Sequence, residues 1–191
     1  LKSSDGLSWD NITSGVGTST VLWRTTYGKN IFLVTGSSGT ILTSPDGTTW
    51  TSRISPISSY LRGIIFRDDT FVIVGNSGTV LSSPDGITWT SRTTNVSGNI
   101  WDITFGNNTF VASASNGIII SSNDGINYST QSISSNNLRG IVYNNNTFVT
   151  VGIGGEIFTS PDGTSWTSRT SNVGGSSLYD ITFANNTFVA V

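Results

Sequence analysis

The chain has 191 residues, a formal net charge of -2 and only 10% charged residues, and it contains no cysteine, histidine or methionine. That composition excludes disulfides and thiolate metal sites and removes the commonest general base and metal ligand. The few scattered basic residues carry no nucleic-acid footprint, and neither a signal peptide nor an apolar run of about 20 residues is present.

Ser, Thr, Asn and Gly stand in place of the missing charges, while Trp, Phe, Ile and Val recur regularly, which argues for one folded domain over residues 1–191 rather than disorder. A chain without methionine is expected to be a processed product or a piece of something longer. The first element is a turn motif, Ser3-Ser4-Asp5-Gly6-Leu7-Ser8-Trp9, flanked by strand-like runs at about 1–4 and 7–12. It returns as Ser44-Pro45-Asp46-Gly47-Thr48-Thr49-Trp50, as Ser83 to Trp89, as Ser160 to Trp166 and, more loosely, as Ser122 to Tyr128. The Asp-Gly pairs begin at 5, 46, 85, 124 and 162.

Between these marks lies a second shared block. Leu61-Arg62-Gly63-Ile64-Ile65-Phe66 leads into Thr70-Phe71-Val72-Ile73-Val74-Gly75, with counterparts starting at Leu22, Ile100, Leu138 and Leu178. Each unit therefore reads as four short runs, β-branched or aromatic, bounded by turn residues. Asn107-Asn108, Asn145-Asn146 and Asn185-Asn186 suit tight hairpins, because Asn tolerates positive φ. Helical spacing is absent. A period near 40 with four strands per unit predicts an all-β, five-bladed β-propeller with four antiparallel strands per blade. The blades fall at about 20–54, 60–93, 99–132, 137–170 and 177–191 plus 1–13. The N-terminal strands are expected to complete the C-terminal blade and so close the ring and remove its strand edges.

The Ser-x-Asp-Gly-x-x-Trp motif resembles the Asp-box, or BNR-like, repeat of sialidase-type propellers, though no residue separates Asp from Gly. Similar blades occur in bacterial and phage surface proteins and in photosystem II assembly propellers. The resemblance implies a hairpin between third and fourth strands whose Asp accepts backbone N–H bonds and whose Trp packs beneath. Recurrence in every blade makes Asp5, Asp46, Asp85, Asp124 and Asp162 structural turn residues, since a catalytic group is needed once. One carboxylate per turn is also too few for calcium, which takes six to eight oxygens. No metal or cofactor is expected.

Catalysis would have to come from Asp102 and Asp180, which hold one column of run one, the expected channel-lining strand. Gly63, Gly140 and Arg24 hold that column elsewhere. Two carboxylates on one cavity suit acid/base chemistry on a glycoside; alternatively each caps a local backbone group. The sialidase resemblance implies an arginine triad and an activated tyrosine, which this sequence does not supply, so the expectation is no enzyme.

The column one residue earlier reads Trp23, Arg62, Trp101, Arg139 and Tyr179 and breaks the repeat where its neighbours keep it. Aromatic platforms beside arginines suit a sugar, whose apolar face stacks and whose hydroxyls take hydrogen bonds. The same column shares strand parity with Ile64 and Phe66, so packing between blades is the competing explanation. Variable Gly/Ser-rich loops connect fourth to first strands, where binding residues commonly sit. Arg53, Arg92 and Arg169 recur in the fourth run and are expected to be solvated or locally paired. The first expectation is a lectin-like, extracellular or surface-associated recognition module that meets a glycan or a surface protein without entering a membrane. The second is a structural or assembly propeller, a part of a larger chain or assembly; the third is a glycoside hydrolase.

Overall fold

The computed structural model describes all 191 residues. Four antiparallel four-stranded sheets follow one another along the chain, each in the order of its strands. The first holds β1 (Leu22–Gly28), β2 (Ile31–Gly36), β3 (Ile41–Ser44) and β4 (Thr51–Arg53). The second holds β5 (Leu61–Arg67), β6 (Thr70–Gly75), β7 (Val80–Ser83) and β8 (Thr90–Arg92). The third holds β9 (Ile100–Gly106), β10 (Thr109–Ala114), β11 (Ile118–Ser122) and β12 (Ser129–Ser132). The fourth holds β13 (Leu138–Asn144), β14 (Thr147–Gly152), β15 (Ile157–Ser160) and β16 (Thr167–Arg169). A fifth sheet has two strands, β17 (Ile181–Ala184) and β18 (Thr187–Ala190).

Local chemistry fixes these hairpins. The first connection of each sheet is two residues long with both φ positive, for example Asn107 (48°) and Asn108 (56°), or Asp68 (48°) and Asp69 (59°). This twist matches that of the flanking strands, and Asn and Asp tolerate it best. Across each such hairpin two aromatic rings meet, as in Phe105–Phe110 at 4.7 Å and Tyr143–Phe148 at 4.5 Å. In the fourth strand, Arg53, Arg92 and Arg169 donate from Nε to the hydroxyls of Thr43, Ser82 and Thr159 at 2.7, 2.7 and 2.9 Å. The repeated arginine is thus locally paired, one of the two outcomes expected, and clamps strand four to strand three.

The core lies between sheets, not within one. Leu33 and Ile41 of the first sheet pack with Leu61, Phe71 and Ile73 of the second. Val72 and Val74 of the second meet Ile100, Phe110 and Ala112 of the third. Equivalent clusters join third to fourth and fourth to fifth. The inner strands β1, β5, β9, β13 and β17 pack successively against one another. Glycines allow this approach: a Cβ on Gly140 would lie 2.9 Å from both Asp180 Cα and Ile181 N of the next inner strand.

Closure departs from expectation. Residues 1–13 do not complete the fifth sheet, which stays two-stranded, and their only ladder contact is a bridge between Lys2 and Asp10. Instead Lys2 Nζ donates to Asp46 O and Thr48 Oγ1 of the first sheet, at 2.9 and 3.0 Å. Two substitutions within the repeat distinguish this hairpin, although the third sheet, with Gln131 in the arginine place, pairs β11 with β12 without the clamp. Lys2 and Ile12 occupy the places where the hydroxyl and the arginine form the strand-three to strand-four clamp in three of the four full sheets. No apolar cluster joins the fifth sheet to the first, and Val189 is 52% exposed, whereas its counterpart Val72 is fully buried.

Because Gly140 faces backbone rather than a flexible side chain, Gly140→Ala should destabilise the fold by about 1–3 kcal/mol through overpacking. Gly17→Ala, which meets nothing within 4 Å, should leave the urea midpoint within error; equal midpoints for the two variants would contradict this packing.

Candidate functional site

Each inner strand begins with one residue more than its partner can match. Leu22 pairs with Gly36 and Arg24 with Thr35, leaving Trp23 unpaired. Leu61 pairs with Gly75 and Gly63 with Val74, leaving Arg62. Ile100 pairs with Ala114 and Asp102 with Ser113, leaving Trp101. The same irregularity falls between Leu138 and Ile141, at Arg139. In the fifth sheet Asp180 N and Tyr179 N both donate to Val191 O. The divergent column is therefore a column of β-bulges. A bulge inserts a residue and re-aims side chains, so the parity shared with Ile64 and Phe66 does not carry through it.

These residues converge. Trp23, Arg62, Trp101, Asp102, Arg139 and Tyr179 line one cavity of about 230 Å3, together with Arg24. It sits at the end of the inner strands where the fourth-to-first loops emerge. Arg139 Cζ lies 3.7 Å from the centre of the Trp101 ring, and Arg62 Cζ lies 4.4 Å from it. The outer rings follow at 5.7 Å, Trp23 beside Arg62 and Tyr179 beside Arg139. Stacked guanidinium–aromatic pairs contribute about 0.5–2 kcal/mol each, more where water is excluded. Trp101 is thus held by stacking rather than by its own N–H, which has no partner.

Charge in the cavity is uneven. Asp180 pairs with Arg24 at 3.9 Å and does not line the cavity. Arg62 Nε donates to Asn76 Oδ1, while the Arg139 guanidinium has no hydrogen bond within the chain, and neither guanidinium forms an ion pair. Burial, then the like charge of Arg139, lowers the Arg62 pKa. Asp102 caps backbone, accepting from Ile103 N at 2.9 Å and, across to the next sheet, from Ile141 N at 3.3 Å. Asp180 likewise accepts from Ile181 N at 2.9 Å. Desolvation pushes Asp102 up to about 6, against the opposing pull of Arg24 and these N–H bonds; the Asp180 charge adds slightly to the rise.

The Asp-Gly turns lie at the opposite end of the sheets. In each, one Asp oxygen accepts two backbone N–H groups, as Asp85 does from Ile87 and Thr88, both at 2.8 Å. Asp5, Asp124 and Asp162 repeat the pattern. Trp9 and Trp166 donate from Nε1 to the turn carbonyls of Gly6 and Gly163, and Tyr128 donates its hydroxyl to Gly125 O. Backbone N–H bonds hold these carboxylates below the ordinary range, that of Asp46 to about 2.

No family model matches the chain, and no curated protein does so. Solved structures are similar in fold. A virginiamycin B lyase from Staphylococcus aureus, solved with quinupristin, has a TM-score of 0.79 at 14% identity, over 91% of this chain and 70% of that one. YCF48 bound to a D1 peptide has a TM-score of 0.70 at 19% identity, over 88% of this chain and 59% of that one. The computationally designed Ika8 protein has a TM-score of 0.66 at 16% identity, over 88% and 54%. The fold is a β-propeller. The chain spans 54% to 62% of the lengths of the designed protein and the two YCF48 structures.

Within this propeller, sequence reasoning singled out the column but not Arg24, Asn76 or Tyr60, whose ring lies 5.9 Å from Arg62. Arg24 was legible, since it shares the column of Asp102 and Asp180. Asn76 and Tyr60 lie where the backbone course repeats, as Ser37, Asn76, Ser115 and Ile153 N donate to Val21, Tyr60, Asn99 and Asn137 O, but the side chains there follow no repeat.

The two kinds of carboxylate act oppositely on stability. Asp102 is raised in the folded state, so its contribution is lost as pH rises from about 4 through 6. The turn carboxylates are depressed, so theirs is lost as pH falls from about 4 towards 2. Thermal unfolding should therefore show a maximum Tm between about pH 4 and 6, and Asp102→Asn should flatten the limb from pH 4 to 6. A Tm that rises steadily to pH 7 would contradict this assignment.

Proposed function

We propose that this chain is a non-catalytic recognition propeller of the Asp-box type that binds a saccharide in the axial pocket, in a lectin-like manner. The observation that carries the reading is the convergence of five bulged residues from five sheets on one cavity. Aromatic faces and guanidinium donors alternate there, which is the surface a pyranose needs. A rigid scaffold with the pocket at its loop-bearing end is the usual arrangement for binding. Asp102 and Asp180 favour this reading over hydrolysis, because both are engaged in backbone capping and Asp180 is paired with Arg24. The partner is then a glycan, or a protein that carries one, met outside a cell or on its surface.

One observation favours a second reading, that of an assembly unit without a small ligand. The outer edge of β18 is unpaired, and a free edge strand is a template for another chain.

A glycan array with the purified chain should show binding that Trp101→Ala weakens at least tenfold, with the double variant Asp102→Asn, Asp180→Asn still binding. Turnover of a glycoside that the double variant abolishes would instead make the pocket an active site. Absence of all glycan binding, with concentration-dependent assembly in light scattering, would favour the second reading.

A further inference from the structure

The axial pocket holds more positive charge than its own carboxylates neutralise. Arg24 has Asp180, and Asp102 is occupied with two backbone N–H groups. Arg62 and Arg139 are left half-buried, stacked on Trp101, with no anion of the chain in contact. Stacking engages the face of a guanidinium and leaves its in-plane N–H donors free, and of these only Arg62 Nε is engaged, by Asn76 Oδ1. Those donors form a planar fork that matches a carboxylate. Two cations kept close together and partly out of water are an unfavourable arrangement for the empty protein. An anionic group between or above them relieves it.

The size and rim of the cavity narrow the ligand further. About 230 Å3 is room for one ring or one side chain, below the 300–1,000 Å3 typical of drug-sized sites. At its mouth Trp23 is 45% and Tyr179 62% exposed, two large aromatic faces open to solvent beside the guanidiniums. A neutral sugar would use those faces and leave the cations unanswered. A bare carboxylate would answer the cations and leave the faces unused. Resting on the saccharide reading above, we propose that the axial pocket selects a carboxylated pyranose, a uronate-type residue. Its ring lies on the exposed aromatics, and its carboxylate is received by Arg62 and Arg139.

The test compares methyl glucuronide with methyl glucoside by titration calorimetry on the full chain. The two differ only in a carboxylate against a hydroxymethyl group. The glucuronide should bind at least tenfold more tightly, and the preference should shrink as salt is raised. Arg139→Lys keeps the charge but not the fork and should lose part of the preference. Arg62→Gln with Arg139→Gln should abolish it, with near-UV circular dichroism checking that the variants stay folded. Equal affinity for both sugars would overturn the proposal while leaving the saccharide reading in place. No sugar binding, alongside binding of a peptide through its free C-terminal carboxylate, would overturn both. Binding of the glucuronide unchanged in the folded double variant would overturn the assignment of its carboxylate to these arginines.

Discussion

Every feature of this molecule depends on one constraint: no sheet can bury its apolar faces except against the next sheet. A four-stranded sheet has two faces and too little chain to cover either. Repetition solves this by making each sheet the cover of its neighbour, so that Val72 and Val74 are sealed by the third sheet as Leu33 is by the second. The turn glycines follow from the same contact. Gly86 sits against Ile31 and Leu33 of the preceding sheet, and Gly163 against Val111. Where the neighbour is missing, the burial is missing too, which is why Val189 and Tyr27 stay exposed at the two ends of the series.

The inner strands meet this constraint with bulges. Five strands packed round one axis crowd at their starts, and a side chain in every position would not fit. Gly63 and Gly140 answer the crowding by giving up the side chain. The bulged residues answer it by turning theirs to the axis. A packing requirement repeated five times thus produces a ring of side chains free to differ, because the ladder no longer dictates them. Two arginines and three aromatics occupy that ring, with Arg24 and Asp102 of the next column beside them, and their stacking and capping bonds are the chemistry available to a ligand.

Much of this was legible in the sequence, for reasons that can be named. The strands were legible because Asn-Asn, Asp-Gly and the Thr-Phe-Val runs each carry a local conformational demand that repeats. The arginine column at 53, 92 and 169 was legible as a repeat, but its hydroxyl partners Thr43, Ser82 and Thr159 were not. The column that lines the axial cavity was legible as distinct because it varies where the repeat does not. The bulge was hidden, since an extra residue leaves no mark when all five copies share it, and parity then points the wrong way. The failure of residues 1–13 to complete the fifth sheet was hidden as well. Their turn forms as locally as any other, with Asp5 fully bonded, but Lys2 ties the hairpin to the first sheet and no residue of 1–13 joins the apolar cluster of the fifth.

The central claim is that ligand recognition belongs to the bulged column and not to the repeated turns. The six tryptophans divide along that line: Trp23 and Trp101 stand on the axis, while Trp9, Trp50, Trp89 and Trp166 belong to the turns. Indole N–H resonances of the 15N-labelled chain, followed by NMR during saccharide titration, report on all six at once. Saturable shifts confined to Trp23 and Trp101 are the predicted result. Shifts confined to the turn tryptophans, or none at saccharide concentrations that show binding by calorimetry, would contradict it.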